Sequence, residues 1–231
     1  MISALHIGYF KAFGATQRVP IKPITLVFGP NSAGKSSLIH SLALAHQAEK
    51  TGDLDVVRTD IGGRVIDLGG FRQYVHHRHA QNRVTWGVDL DVSEAPAKLR
   101  AVLGTTASVS LTLTIGMPLD DQDRPKPGAS PQVINCELDA EGRGLIRMSR
   151  RPSGKQAVDY INVDHPIIQG LAEGGLALMT TATEVNAEDL EAVASVVSEL
   201  IPQLEIEMGG LLPKRVSSEK TEISGAEKHA L

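Results

Sequence analysis

The chain opens on alternation. In residues 1–14 (MISALHIGYFKAFG) apolar side chains fall at Ile2, Ala4, Leu5, Ile7 and Tyr9, which predicts a strand ending in the aromatic turn Phe10-Lys11-Ala12-Phe13-Gly14. A second short strand is expected over Gln17–Ile21, bounded by Pro20 and Pro23. The next run, Ile24-Thr25-Leu26-Val27-Phe28, is continuously β-branched and apolar, the pattern of a strand buried on both faces. The period then changes. Over Ser37–Ala48 (SLIHSLALAHQA), Leu38, Leu42 and Ala45 form a helical stripe.

From Asn82 the pattern becomes β-rich. RVTWGVDLDV, ASVSLTLTIG and PQVINCELDA each alternate, and GLIRMSRRP adds a fourth strand, so residues 82–151 read as an antiparallel meander with short turns. Asp120–Pro131 is an acidic, proline-rich surface loop within it. A helix is expected over 187–201, with Asn186 as N-cap and Glu188 and Asp189 in its first turn. Its apolar face would be Leu190, Val193, Val197 and Leu200, and Pro202 would stop it. The polar, unpatterned residues 209–231 are expected to form a poorly ordered tail after one unit spanning 1–208.

Composition narrows the class. A chain of 231 residues can bury one substantial core, and with aromatics at 3% that core must be built from Leu, Ile, Val and Ala. A lone cysteine, Cys136, excludes an internal disulfide framework and fits a reducing, cytoplasmic setting. No apolar run approaches the length of a membrane span, and the N-terminus carries no signal-peptide pattern. A net charge of −4 argues against a globally basic nucleic-acid binder and leaves room for a local patch.

The chemistry is concentrated between the apolar run and the helix. Gly29-Pro30-Asn31-Ser32-Ala33-Gly34-Lys35-Ser36 spells GxxxxGKS, the phosphate-binding loop, in the strand–loop–helix context that the motif requires. Gly29 and Gly34 let the chain curl without a Cβ in the way. The backbone N–H groups from Asn31 through Ser32, Ala33, Gly34, Lys35 and Ser36 to Ser37 are expected to form an anion-binding nest at the positive end of the helix dipole. Lys35 is the expected phosphate contact, and the Ser36 hydroxyl the expected Mg²⁺ ligand. These residues predict a nucleotide site.

GPNSAGKSSLI, preceded by Phe10-Lys11-Ala12-Phe13-Gly14, resembles the ABC-type ATPases of the RecF, SMC and OLD group, the bacterial proteins called AAA-family ATPases. Val65-Ile66-Asp67-Leu68-Gly69-Gly70-Phe71, followed by Tyr74-Val75-His76, is similar to a DLGSF…VH stretch in the same group. The resemblance covers about the first eighty residues. It implies an α/β P-loop NTPase core of ABC type with an antiparallel β subsheet, the role open to the meander. It also implies ATP and Mg²⁺ as ligands, with the base near Lys11 and Phe13, and work in DNA maintenance or antiphage defence. Two nucleotides would be closed between two heads, each completed by a signature motif from a homodimer partner or a second polypeptide. Phe10 and Phe13 serve equally well as core.

Hydrolysis in that group needs a Walker B segment ending in Asp-Glu. The nearest run, Val133-Ile134-Asn135-Cys136-Glu137, is interrupted by Asn135 and followed by Leu138. Leu171-Ala172-Glu173-Gly174-Gly175 only echoes a signature motif, and Gly209–Arg215 (GGLLPKR) is similar to a stretch midway through longer relatives. The expectation is therefore the N-terminal part of such an ATPase, lacking its C-terminal lobe, with no catalytic residue assignable. A nucleotide-binding fragment without turnover is the alternative. Gln169 is the only candidate for a metal-contacting glutamine, and a surface turn is its plainer reading.

Other constellations carry less. His76, His77 and His79 have no acidic or thiol companion at ligand spacing and read as an exposed polar loop. Arg143, Arg147, Arg150, Arg151 and Lys155 place five cations on one expected hairpin, for solubility or for nucleic-acid phosphates. Asp67-Leu68-Gly69-Gly70 fits the DxxG of a GTPase-like switch, but no guanine-reading NKxD accompanies it.

Overall fold

The alternation becomes one large antiparallel sheet. The computed structural model describes residues 1–61, 63–179, 192, 195, 201 and 204–218. In chain order the strands are β1 (Ile2–Gly8), β2 (Gln17–Pro20), β3 (Arg58–Ile61), β4 (Arg64–Asp67), β5 (Val84–Asp91), β6 (Ser108–Gly116), β7 (Gln132–Ala140), β8 (Arg143–Arg150), β9 (Gln156–Ile161), β10 (Leu204–Gly209) and β11 (Leu212–Ser218). The helices are α1 (Lys35–Thr51), α2 (Phe71–Tyr74), α3 (Ala97–Leu103) and α4 (Pro166–Met179). Nine strands form one sheet in the order β11-β10-β9-β8-β7-β6-β5-β1-β2, and β3 and β4 form a separate hairpin.

Period-two patterning sorts the two faces. Ile7, Trp86, Leu113, Cys136, Met148 and Val158 stand opposite one another in sequence across six strands, and all are buried. Leu5, Val88, Leu111, Leu138, Ile146 and Ile161 make a second such row. The alternate row, His6, Gly87, Thr112, Glu137, Arg147 and Tyr160, lies on the opposite, polar face.

α1 covers the apolar face. Its Leu38, Leu44 and Ala48 belong to the same buried cluster as Leu5, Ile7 and Leu113. At its far end Gly52 closes the helix in the left-handed region (φ 77), donating its N–H to the Ala48 carbonyl at 2.8 Å. The turn between β10 and β11 packs against this end so closely that a Cβ on Gly210 would fall 2.2 Å from the Ala48 oxygen. Phe10, Phe71 and Tyr74 stack beside it with ring centroids 5.3 Å apart in both contacts, and the Tyr74 hydroxyl donates to the Leu54 carbonyl.

Three expectations need correction. The chain is not an α/β P-loop core with an antiparallel subsheet, because among the described residues every strand pairing is antiparallel and nine strands form one sheet. The physical reason is a missing neighbour: residues 24–28, expected as the strand that feeds the phosphate loop, have no strand among the described residues to pair with. The meander extends beyond the expected limit at 151, through β9 to β10 and β11. The tail expected from 209 is strand β11 as far as Ser218, because Leu212 and Val216 pair in register with Gly209 and Ile206. The expected helix over 187–201 with its Asn186 cap falls largely outside the described residues, as do 219–231. Among the described residues no helix is long and apolar enough to cross a membrane.

The central row generates two expectations. Leu113→Ala should lower stability by about 2–5 kcal/mol in urea unfolding, since Leu113 is flanked by Trp86 and Cys136 and has no exposed surface. Burial, reinforced by the Glu137 carboxylate, pushes the Cys136 thiol up to about 11. It should therefore resist a thiol reagent at pH 8 in the native protein and react at once in denaturant.

Candidate phosphate-binding site

The loop from Gly29 to Ser36 is held between α1 and the turn that ends β1. Gly34 is the N-cap of α1 in the left-handed region (φ 93, ψ 3), and a Cβ there would stand 3.4 Å from Ala12 Cβ and 3.5 Å from the Phe13 ring. Ser32 also takes a positive φ, of 65°, which a non-glycine residue adopts only under local constraint. The Ala33 N–H reaches the Pro30 carbonyl at 3.4 Å, and the first helical hydrogen bond runs from Leu38 N–H to the Gly34 carbonyl at 3.1 Å. No side chain caps α1 and no acidic residue lies in its first turn. The amides at the positive end of this 17-residue helix are thus not answered from within its own first turn.

A pocket of ≈ 210 Å³ opens at that end, lined by Ala12, Asn31, Ser32, Gly34, Lys35, Ser36 and Ser37. The volume lies below the roughly 300–1,000 Å³ of sites that enclose a whole drug-sized ligand, so it suits phosphates rather than a base. Gly29 and Ala33 shape the loop without lining the pocket. The Lys35 ammonium folds back over the loop and donates to the Gly29 carbonyl at 2.7 Å and the Pro30 carbonyl at 2.6 Å. Ser36 is exposed at the rim, whereas Ser37 is buried beneath it. One hydroxyl with open space around it fits Mg²⁺, which keeps several waters and takes its remaining ligands from phosphate.

A second layer of groups escapes the motif. Lys11 lies on the turn that carries Ala12 and Phe13; burial lowers its pKa and the Asp67 carboxylate partly restores it. His40, one helical turn beyond Ser36, is lowered by burial and then by the charge of Lys11, so its imidazole is neutral at pH 7. Its Nδ1 is buried without a hydrogen-bond partner among the described residues. The turn is tied to the segment after α2: Lys11 N–H donates to the Tyr74 carbonyl at 2.6 Å, His76 N–H to the Tyr9 carbonyl at 2.8 Å, and His76 Nδ1 to the Lys11 carbonyl at 2.7 Å. Tyr9, Lys11, His77 and Arg78 all hold positive φ here, a concentration of backbone strain beside the pocket. The sequence signal for His40 was its spacing of four from Ser36; the strained turns left none.

No family model and no curated protein matches this chain. The reading of the site accordingly rests on its own geometry.

Other expected groups lie elsewhere. Gln169 is exposed on α4 and does not line the pocket. Val133–Glu137 sits inside β7, where Glu137 faces Thr112 and Arg147 on the polar face. Leu171–Gly175 is part of α4, and Gly209–Arg215 forms the β10–β11 turn and the start of β11. Phe10 is core, buried against Tyr74, whereas Phe13 touches the loop at Gly34.

Asp67, at the end of β4, pairs with Arg58 at 3.5 Å. His77 and His79 are exposed, and among the described residues no cluster of His, Cys, Asp and Glu is placed to hold a metal ion. The basic hairpin is largely engaged within the protein. Arg147 stacks over Tyr160 at 5.7 Å, Arg150 donates to the Val133 and Gly154 carbonyls, Arg151 pairs with Asp159 at 3.2 Å, and Lys155 pairs with Glu205.

Three other hollows are larger: one of ≈ 290 Å³ lies at the C-terminal, negative end of α1 beside Gly52 and Lys214, and two are troughs along the sheet. One trough, of ≈ 450 Å³, is walled by Arg150, Lys155, Glu205 and Arg215, and another, of ≈ 410 Å³, by His6, Arg18, Asp89 and Asp139. The first also carries Glu207 and mixes both signs; the second also carries Glu141 and is mainly acidic. Asp89 accepts from His6 Nε2 at 2.7 Å, from Arg18 Nε at 2.8 Å and from Ser110; burial opposes its ionisation, and these bonds outweigh that and hold the carboxyl below its usual range. Neither trough offers a helix terminus or a free nest of amides, so the smaller pocket carries the chemistry.

Gly34→Ala tests this construction. The added methyl must adopt a left-handed backbone against Ala12 and Phe13, so the unfolding free energy should fall by about 1–2 kcal/mol. An unchanged urea midpoint would show that the loop does not hold this conformation.

Proposed function

We propose that this chain binds a nucleoside triphosphate, ATP, with Mg²⁺ at the Gly29–Ser37 loop. One observation carries the reading: a phosphate-sized pocket sits at an uncapped helix N-terminus, lined by Asn31, Ser32, Gly34, Lys35, Ser36 and Ser37. Phosphate oxygens would take over the Lys35 ammonium from the Gly29 and Pro30 carbonyls. The Ser36 hydroxyl would contribute the protein ligand to Mg²⁺, which would neutralise the phosphates in turn. Phe13, which stands beside Gly34, and Lys11 on the same turn would take the base side.

The same lining contains no carboxylate to orient an attacking water. That favours binding without turnover by this chain alone, with ATP hydrolysis dependent on groups brought by a homodimer partner or a second polypeptide. The likeness of GPNSAGKSSLI to the RecF, SMC and OLD group supports ATP as the nucleotide, a cytoplasmic setting, and a role in DNA maintenance or antiphage defence. DNA contact through the β8–β9 hairpin is the weakest part of the reading, since four of its five cations already have protein partners.

Calorimetric titration with Mg-ATP should show saturable binding, weakened at least about tenfold in Lys35→Ala, because a charge-assisted contact to phosphate contributes about 1.5–3 kcal/mol. Equal affinity in the two proteins would remove the site assignment. Phosphate release by the wild type should stay at the level of Lys35→Ala; turnover lost in the mutant would place a catalytic carboxylate in this chain after all.

A further inference from the structure

Of the histidines at 76, 77 and 79, only His76 is half-buried, and its contacts converge on the turn beside the phosphate loop. A carbonyl oxygen can only accept, so Nδ1 carries the proton in its 2.7 Å bond to the Lys11 carbonyl. Another part of the ring lies on Gly14, where a Cβ would stand 2.8 Å from Nε2 and 3.2 Å from Cε1. Gly14 holds no positive φ, so its missing side chain makes room for the imidazole and answers no need of the backbone. The main chain of His76 is tied as well: its N–H donates to the Tyr9 carbonyl at 2.8 Å, and Asn82 Nδ2 donates to its carbonyl at 3.2 Å.

The imidazole holds a stiff turn. Phe10 and Phe13 exchange two main-chain hydrogen bonds, at 3.1 and 2.9 Å, so residues 10–13 move as a unit. Tyr9 and Lys11 keep φ of 53° and 47°, which the turn retains only while its anchors oppose relaxation. The Lys11 N–H is fixed by the Tyr74 carbonyl at 2.6 Å, and the Lys11 carbonyl, which belongs to the Lys11–Ala12 peptide plane, by His76. Ala12 is, among the described residues, the one lining residue of the pocket from outside 31–37, and the Phe13 ring stands 3.5 Å from where a Cβ on Gly34 would lie.

We propose that His76 is a positioning residue of the Gly29–Ser37 loop: its Nδ1–H bond fixes the Lys11–Ala12 peptide plane, which holds Ala12 and Phe13 beside Gly34 in the conformation that receives phosphate. The consequence for affinity rests on the nucleotide reading of the loop, whereas the consequence for the loop itself rests on the hydrogen-bond geometry alone. Without this bond the strained turn relaxes, the wall at Ala12 withdraws, and the amides of 31–37 no longer converge on one anion. Part of the binding free energy is then spent on reordering the loop.

The test uses variants of the full chain. His76→Leu keeps bulk over Gly14 and removes the donor, and His76→Asn returns an amide N–H to the place of Nδ1–H. Gly14→Ala pushes on Nε2, an atom that asparagine lacks, and so probes the same contact without depending on the folding of His76→Leu. Amide exchange is read at Phe13, Ala33 and Leu38, whose N–H groups are hydrogen-bonded in the turn and the loop. It should quicken about fivefold in His76→Leu and in Gly14→Ala, which corresponds to the loss of one hydrogen bond. It should return to the wild-type rate in His76→Asn and stay there when Gly14→Ala is added to that variant. Calorimetric affinity for Mg-ATP should follow the same order. Asn162→Ala removes a comparable bond, from Nδ2 to the Gly144 carbonyl at 3.1 Å, from the β8–β9 part of the sheet, and should change neither reading. Wild-type exchange in both His76→Leu and Gly14→Ala would overturn the proposal, as would failure of His76→Asn to restore what His76→Leu loses, or equal quickening in Asn162→Ala. If the wild type binds no Mg-ATP while the exchange pattern holds, the nucleotide reading fails and the positioning of the loop by His76 stands.

Discussion

The position of the Gly29–Ser36 loop depends on one packing contact, that of α1 on the apolar face of the sheet. Rows of side chains such as Ile7–Trp86–Leu113–Cys136–Met148–Val158 present a continuous hydrocarbon surface that must be covered. Leu38, Leu44 and Ala48 cover part of it, which fixes the axis of the helix and thus where its first-turn amides point. The approach of Gly210 to the Ala48 carbonyl closes the other end of the helix.

The loop itself is shaped from the opposite side. Phe10 anchors the Lys11–Phe13 turn in the core, and three hydrogen bonds from or to Lys11, Tyr9 and His76 tie that turn to the segment after α2. Strained backbone at Tyr9, Lys11, His77 and Arg78 persists because these bonds and the aromatic cluster over-determine it. Ala12 and Phe13 then lie beside Gly34, whose left-handed φ of 93° favours a residue without Cβ. Lys11 and the neutral His40 extend the electrostatics of the pocket one layer behind the loop.

Elsewhere the charges are structural. Asp89 gathers His6, Arg18 and Ser110 across the edge of the sheet, and the arginines of β8 stack or bond within the polar face. Such pairs hold the solvent-facing side of an antiparallel sheet in register without creating an open basic surface. The contrast with residues 24–28 is sharp: there the exposed groups are hydrocarbon and unpaired amides, which nothing in the chain's described residues answers.

The sequence by itself determined the elements whose signal is local. Alternation in VTWGVDLD and SVSLTLTIG is a property of adjacent residues, and GxxxxGKS carries its glycines, lysine and serine at fixed spacing, so strands β5 and β6, helix α1 and the loop were legible. What the tertiary structure alone decided is whether a pattern found a partner. Ile24–Phe28 has every local mark of a buried strand, yet a strand exists only as a ladder with a neighbour, and none of the described strands lies beside it. For the same reason Leu212–Ser218, unpatterned on its own, became β11 by pairing with β10. Hydrogen-bonded neighbours distant in sequence, not the run of residues within a segment, made the difference in both places.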